Sequence, residues 1–251
     1  MYRSAKARRA RRRRVRWIAI AALLAVALAA ITVGLAAGGG ERQASGCLIL
    51  DVSESTDEAR DRYPEEFQRF ATEIAADGSG DICLILAAAD PIAEGAPVHT
   101  SVAADSPGTP TGRREIEEKV QTATDEVTAL LEDPPVREAG SGLVEAATVA
   151  AEQLEPGDRI LYLSDGLQWS PAAGRLMELD LSSAGISSLI HDLDQKGLLP
   201  DLTEVEVYFP LMLYHPESYK GRVVEANQIK AFWRAWADAT GAELTIGGQT
   251  S

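Results

Sequence analysis

The sequence contains few of the residues on which most transition-metal and nucleophile chemistry depends. It has two cysteines and three histidines in 251 residues. Neither a CxxC nor an HxxxH spacing occurs, which argues against a zinc site. A GxSxG elbow, a phosphate-binding P-loop and an HExxH pair are also absent from the sequence. The chain therefore lacks the common motifs of serine hydrolases, nucleotide hydrolases and zinc proteases.

Basic residues are scarce beyond the N-terminus. Nine of the 24 lysines and arginines fall in residues 1–16, where there is no acidic residue. The rest of the chain keeps 15 basic residues against 38 acidic ones, a balance of −23. Because an acidic surface repels nucleic acid, we expect no nucleic-acid partner for the folded part.

Only one long uncharged apolar run occurs, at residues 17–37. A helix of that length would be about 32 Å long, which matches a hydrocarbon core of about 30 Å. The arginines lie on its N-terminal side only, so the positive-inside rule predicts a cytoplasmic N-terminus. We therefore predict a basic cytoplasmic tail at 1–16, a single-pass transmembrane signal anchor at 17–37 and an extracytoplasmic domain after a linker at 38–46.

Two alternatives to the anchor stay open. Small residues after Leu35 would allow cleavage of a signal peptide. Cys47, preceded by Ala-Ser-Gly, would serve a lipoprotein, although Glu41 and Arg42 separate it from the apolar run.

The stretch 47–56 brings oxygen atoms to the end of a predicted strand. Its four apolar residues lead into Asp51, and the hydroxyls of Ser53, Ser55 and Thr56 follow. A short apolar run bounded by turn-forming residues indicates a buried strand. Carboxylate and hydroxyl oxygens suit a hard cation such as Mg²⁺. The alternative is a strand followed by an ordinary helix cap.

A second predicted strand also ends in an aspartate. The apolar run 160–163 is followed by Ser164, Asp165 and Gly166. Ligands of open α/β sheets bind at the carboxyl ends of strands where the strand order reverses. If the two strands are neighbours there, Asp51 and Asp165 face one site. A divalent cation would relieve the repulsion between the two carboxylates.

Strands and helices alternate along the remainder of the chain, and no internal repeat is visible. This alternation predicts an α/β fold, a doubly wound, mostly parallel six-stranded sheet with helices on both faces, over residues 47–247. The predicted strands are 47–50, 82–88, 98–103, 158–163, 204–213 and 244–246, and Pro210 implies that the fifth is an edge strand or contains a bulge. The predicted helices are 56–76, 113–131, 141–154, 176–196 with an interruption near Gly185, and 223–240, and Pro64 indicates an irregular first turn or a late start for the first.

A third stretch, GSGLVEAA at 140–147, predicts a helix opened by a serine. The three stretches together resemble the metal-ion-dependent adhesion site of the von Willebrand factor A-like family, over residues 47–246. That family's motifs are D-x-S-x-S, a threonine that opens a helix, and an aspartate followed by glycine after a strand. Their counterparts here are Asp51, Ser53 and Ser55; Ser141, which replaces the threonine; and Asp165 with Gly166.

The resemblance implies a function as well as a fold. It implies a membrane-tethered protein-binding module outside the cytoplasm. Its bound Mg²⁺, or Mn²⁺ or Ca²⁺, would accept a carboxylate from a partner protein. The metal ligands implied are Asp51, Ser53, Ser55, Ser141 and Asp165. A metal-dependent hydrolase and a cation-free scaffold of the same fold are the alternatives, although Ser53 occupies the place where an aspartyl-phosphate enzyme needs a second aspartate.

Two further features bear on the site. In the strand order expected for this fold, Cys47 and Cys83 lie on adjacent strands, so we weigh a disulfide against two buried thiols. Trp169 lies four residues beyond Asp165 in a predicted loop. An exposed tryptophan there would suit a contact with a partner protein, and the alternative is that it covers the core.

Overall fold

The computed structural model describes residues 45–77, 80–91, 97–134, 140–213 and 223–247. These residues belong to one compact unit, Gln43–Ser251. The predicted tail at 1–16 and the predicted anchor at 17–37 lie outside them. Among the described residues, no helix is long and apolar enough to cross a membrane.

Six of the strands form one mixed, mostly parallel sheet. In chain order they are β1 Gly46–Leu50, β2 Asp81–Leu86, β3 Val98–Ser101, β4 Arg159–Leu163, β7 Glu206–Phe209 and β8 Glu243–Ile246. The remaining two, β5 Trp169–Ser170 and β6 Gly174–Arg175, pair as a small antiparallel hairpin. The strand order of the large sheet is β3-β2-β1-β4-β7-β8, and β3 is its antiparallel member. This confirms the predicted mixed α/β class.

Helices cover both faces of the sheet. They are α1 Tyr63–Ala76, α2 Pro110–Glu132, α3 Leu143–Ala151, α4 Ser183–Gln195 and α5 Val223–Thr240. Because successive strand residues point to opposite faces, Leu48 and Leu50 pack with α1 and α2. Cys47 and Ile49 pack with α3, α4 and α5 on the other face. Two cores therefore enclose β1 completely, and its five residues are all buried.

The chain reverses its winding direction between β1 and β4. From β1 the chain continues through α1 to β2 on one side, and from β4 it continues to β7 on the other. The two strands are parallel neighbours with Leu50 opposite Leu163. The Asp51 N–H donates to the Leu163 carbonyl at 3.0 Å. The ends of β1 and β4 therefore lie at the switch point of the sheet, which is where doubly wound sheets bind ligands.

An aromatic cluster anchors α5 to the sheet. Tyr162 of β4 stacks on Phe209 of β7 with ring centroids 4.1 Å apart. Trp233 of α5 lies against both rings, at 5.8 and 4.8 Å. Burial of such side chains stabilises the fold by roughly 1.5–3 kcal/mol each. This cluster lies directly beneath the loop that follows β4, because Tyr162 is three residues before Asp165.

The disulfide is present in the structure. Cys47 and Cys83 are register partners on the parallel strands β1 and β2, with Cα atoms 4.5 Å apart. Both residues are fully buried. The bond therefore ties the central strand to its neighbour from inside the core.

The first two predicted helices begin at different residues in the structure. Two 3-10 turns, Glu54–Thr56 and Arg60–Arg62, precede α1, which begins only at Tyr63. Pro64 lies in the first turn of α1, where a missing N–H is tolerated. The next helix, α2, begins at Pro110, three residues before its predicted start, with Thr109 as its N-cap.

The prediction of one strand over residues 204–213 was wrong. The strand β7 covers Glu206–Phe209 and pairs with both β4 and β8, so it is not an edge strand. Pro210 lacks the N–H needed to continue the ladder. The apolar residues that follow, Leu211 to Leu213, are nevertheless buried as a turn that packs beside the site.

The helix predicted over 176–196, with an interruption near Gly185, is shorter in the structure. A 3-10 turn covers Leu176–Glu178 directly after the β5–β6 hairpin, and α4 begins at Ser183. The Ser182 hydroxyl caps α4 by accepting from Gly185 N–H. The break therefore lies before this cap, and Gly185 sits in the first turn of α4.

Candidate metal site

Asp51, the first residue after β1, is fully buried and carries three hydrogen bonds through its carboxylate. Its Oδ1 accepts from the Ser53 N–H and from Ser141 Oγ, each at 2.9 Å. Its Oδ2 accepts from Ser164 Oγ at 2.7 Å. Three separate segments of the chain therefore meet at this carboxylate.

Burial and charge both act on Asp51. Burial and, to a smaller extent, the charge of the neighbouring Asp165 raise the pKa of its carboxyl from 3.8 to about 6. The hydrogen bonds from Ser53 and Ser164 offset part of this rise. A cation between the two carboxylates would favour their ionised forms.

The loop after Asp51 carries the two predicted serine ligands. The hydroxyls of Ser53 and Ser55 lie 3.0 Å apart, and Ser55 is exposed. Thr56 Oγ1 donates to the Ser53 carbonyl at 2.8 Å. The Arg60 guanidinium donates to the Val52 carbonyl and, at 2.7 Å, to the Ser53 carbonyl. These bonds fix the backbone and leave the two hydroxyls near the loop surface.

Hydrogen bonds and close packing fix the turn after β4, which contains Asp165 and Gly166. Asp165 is 4% exposed, and its Oδ1 accepts from the Leu167 N–H at 3.0 Å. Gly166 adopts a φ of +83°, and a Cβ on it would lie 3.0 Å from Met212 Cγ. The Trp233 indole N–H donates to the Gly166 carbonyl at 2.8 Å. Glycine is therefore needed for both its backbone conformation and its close packing.

Ser141 does not open α3 as predicted. The helix begins at Leu143 with Gly142 as its N-cap, and Ser141 lies one residue further out in an isolated bridge with Trp169. The two residues exchange backbone hydrogen bonds of 2.8 and 2.9 Å. The Gly142 N–H donates to the Ala88 carbonyl at 2.7 Å. The backbone on both sides of Ser141 is thus fixed while its hydroxyl reaches Asp51.

Trp169 is adjacent to this site and 40% exposed. The Arg175 guanidinium lies 4.8 Å from the centre of its ring, and Arg175 also pairs with Glu178 at 2.8 Å. An exposed tryptophan stacked with an arginine is typical of surfaces that contact partner proteins.

Two residues that lie near the carboxylates were not predicted to belong to the site. Ser164 immediately precedes Asp165, so the end of β4 is the signal that would have found it. Tyr63 is fully buried, and its hydroxyl has no hydrogen-bond partner among the described residues. Burial, followed by the charges of Asp51 and Asp165, raises the Tyr63 pKa well above its usual range. Both side chains contribute to the polar environment at the switch point of the sheet.

The donor set fits a hard divalent cation. Asp51 and Asp165 supply carboxylates, and Ser53, Ser55 and Ser141 supply hydroxyls, so every candidate ligand atom is oxygen. Within the described part of the chain, no group of three or more His, Cys, Asp or Glu side chains is placed to hold a metal. Thiolate and imidazole ligands, which zinc prefers, are not part of this set.

The fold and these residues define an α/β protein with a buried cluster of polar side chains at the switch point of its sheet. Comparison with protein-family models finds no matching family, and comparison with curated proteins finds no match. The more specific assignment therefore rests on the site itself.

Proposed function

We propose that the chain is a membrane-tethered, extracytoplasmic protein-binding module of the von Willebrand factor A-like kind, with a divalent cation as part of its binding site. The observation that supports this most directly is the meeting of Ser141 Oγ and Asp51 Oδ1 at 2.9 Å. The two residues are 90 positions apart in the chain, and both belong to the motif set that the resemblance picks out.

The cation would be Mg²⁺, or Mn²⁺ or Ca²⁺. Its ligands would come from Asp51, Ser53, Ser55, Ser141 and Asp165, some directly and some through water. When bound, the cation would supply an electrophilic centre for a carboxylate oxygen of a partner protein. The chain's own contribution is to bury Asp51, to hold Ser141 through the Trp169 bridge, and to present Trp169 beside the cation.

Two features support a location outside the cytoplasm. The Cys47–Cys83 disulfide is of a kind that persists in oxidising compartments. The apolar residues 17–37, preceded by nine basic residues, have the length and charge pattern of a signal anchor. Under this proposal the membrane anchor at 17–37 ends a few residues before β1 begins.

Cation binding is the first test of the proposal. Residues 43–251 would be titrated with Mg²⁺ and Mn²⁺ by calorimetry, and the melting temperature would be followed with and without a chelator. Saturable binding that Asp51→Ala abolishes is the expected result. Asp105→Ala is a matched control, because Asp105 is exposed and follows β3 at the opposite end of the sheet. A folded wild-type domain that binds neither cation would overturn the metal proposal.

Activity assays on the same residues, 43–251, distinguish the two alternative functions. Turnover of generic phosphoesters that depends on Mg²⁺ and on Asp51 would favour a metal-dependent hydrolase. Absence of both turnover and cation binding, with a well-folded domain, would favour a scaffold without metal.

A further inference from the structure

Glu145 is a buried carboxylate outside the proposed ligand set. It lies in the first turn of α3 and is 2% exposed. Its Oε1 accepts from Ser170 Oγ and, at 3.2 Å, from the Ala173 N–H. Its Oε2 accepts from Gln168 Nε2 at 3.0 Å. A buried charge is costly unless it is hydrogen-bonded, and these bonds, together with the helix N-terminus, stabilise this one.

The side chains that hold Glu145 flank Trp169 on both sides. Because strand residues alternate in direction, Gln168 and Ser170 point inward while Trp169 points outward, in agreement with their burial. Gln168 also accepts from the Val144 N–H through Oε1, at 2.9 Å. The backbone of β5 is therefore fixed to the first turn of α3 by a closed set of buried bonds.

The same backbone holds Ser141. Trp169 exchanges two backbone hydrogen bonds with Ser141, and the Ser141 hydroxyl reaches Asp51. A displacement of β5 would therefore move both the exposed indole ring and the hydroxyl that faces the carboxylate.

We propose that Glu145 is a positioning residue that holds Ser141 and Trp169 as one rigid unit, so that the cation site and the partner-contacting surface are coupled. The cation part of this inference and the partner-contacting role of Trp169 rest on the proposed function, whereas the positioning of Ser141 and Trp169 by Glu145 does not. Coupling between sites is reciprocal. Cation binding at Ser141 is therefore expected to change the environment of the Trp169 ring.

The test uses isosteric exchanges between Glu145 and Gln168 in the full-length chain, held in detergent throughout. Glu145→Gln replaces one acceptor oxygen by an amide that faces either the Gln168 amide or the Ala173 N–H, so that two donors meet in either orientation. Gln168→Glu leaves two carboxylates facing each other and removes the bond that Gln168 Nε2 donates to Ser170 Oγ at 2.9 Å. The double variant, Glu145→Gln with Gln168→Glu, restores one donor and one acceptor between residues 145 and 168 at nearly constant side-chain volume, but it does not restore the bond to Ser170.

Two measurements are made on the wild type, the two single variants and the double variant. The first is the ¹⁹F NMR spectrum of 5-fluorotryptophan-labelled protein, whose Trp169 line is assigned with Trp169→Phe. The second is the Mg²⁺ affinity from calorimetry. We expect each single variant to shift or split the Trp169 line and to weaken Mg²⁺ binding about tenfold, as outer-sphere changes commonly do. Unchanged Trp233 and Trp236 lines would show that the core is intact.

The double variant is expected to return the Trp169 line and the Mg²⁺ affinity part of the way to their wild-type values, because one of the two bonds donated by Gln168 Nε2 is replaced. The positioning role is overturned if both single variants leave the Trp169 line unchanged, or if the double variant restores nothing. A wild-type chain that binds no Mg²⁺ overturns the proposed function and the coupling to it. In that case the ¹⁹F cycle still decides whether Glu145 positions Trp169.

Discussion

Ionisation of Asp51 should destabilise the metal-free domain. Its pKa is about 6 in the folded protein, against an ordinary value of 3.8. The folded state therefore holds this proton more tightly than the unfolded state, so stability falls as pH rises through this window. At 1.36 kcal/mol for each pH unit, the difference amounts to about 3 kcal/mol once the pH is above 6.

Asp51→Asn removes this ionisation and keeps most of the local hydrogen bonds. Its amide oxygen can accept from Ser53 and Ser141, and its amide N–H can donate to Ser164. In the presence of chelator, the variant should gain stability relative to wild type by up to about 3 kcal/mol between pH 3.5 and pH 7.5. The other carboxyl groups are present in both proteins. To first order, their titration therefore does not contribute to the difference in unfolding free energy between the two.

Urea denaturation of residues 43–251 at several pH values measures this difference. Asp105→Asn is the control, because an exposed carboxyl should give a difference that hardly changes with pH. Mg²⁺ should reverse the ranking, since a ligand that binds the folded wild type stabilises it by mass action. The reasoning would be refuted if the difference in unfolding free energy between Asp51→Asn and wild type did not change with pH. In that case burial and repulsion by Asp165 would not raise the pKa of Asp51.

Three further changes test other parts of the site. Gly166→Ala should destabilise the domain by about 1–3 kcal/mol in urea denaturation, because it combines a positive φ with a close contact to Met212; an unchanged midpoint would contradict this. Arg60→Lys should weaken Mg²⁺ binding about tenfold in calorimetry while the chelated melting temperature stays near wild type, because lysine lacks the fork that holds two loop carbonyls. Replacing Cys47 and Cys83 by alanine should cost roughly 3–4 kcal/mol of unfolding free energy; a loss below 1 kcal/mol would count against the disulfide.

The residues at the ends of strands were predictable from the sequence. Asp51 and Asp165 each follow an apolar run that is long enough for a buried strand and closes in polar residues. The topology of an alternating chain brings the carboxyl ends of parallel strands to one edge. Cys47 and Cys83 were predictable as neighbours only from the strand order expected for this fold, in which the first two strands are adjacent.

Glu145 could not be found in this way. It lies among leucine, valine and alanine residues in a pattern that predicts only a helix packed on a sheet. The groups that make its burial possible lie 23 to 28 positions further along the chain. No local pattern signals a contact of that kind, since the small hairpin that supplies it has only two residues in each strand.

The extent of β7 was misjudged for a related reason. Residues 205–213 alternate between apolar and other side chains, which favours one long strand. Pro210 limits the ladder, and the apolar residues beyond it pack as a turn. Leu213 N–H donates to the Asp165 carbonyl at 3.2 Å, so these residues support the candidate site, a role that alternation does not reveal.

The single covalent cross-link lies on one side of the switch point. Both cysteines are used to staple β1 to β2, so the seam between β1 and β4 is held by hydrogen bonds and packing. Asp51 lies on the side of β1 and β2, and Asp165 lies on the side of β4. Ser141 is tied to both sides, through its bridge to Trp169 and through the Gly142 N–H, which donates to the Ala88 carbonyl beyond β2. A cation bound by all three residues would act as a second, reversible cross-link, this time between β1 and β4. Amide hydrogens along β1 and β4 would then exchange with solvent more slowly when the ion is present.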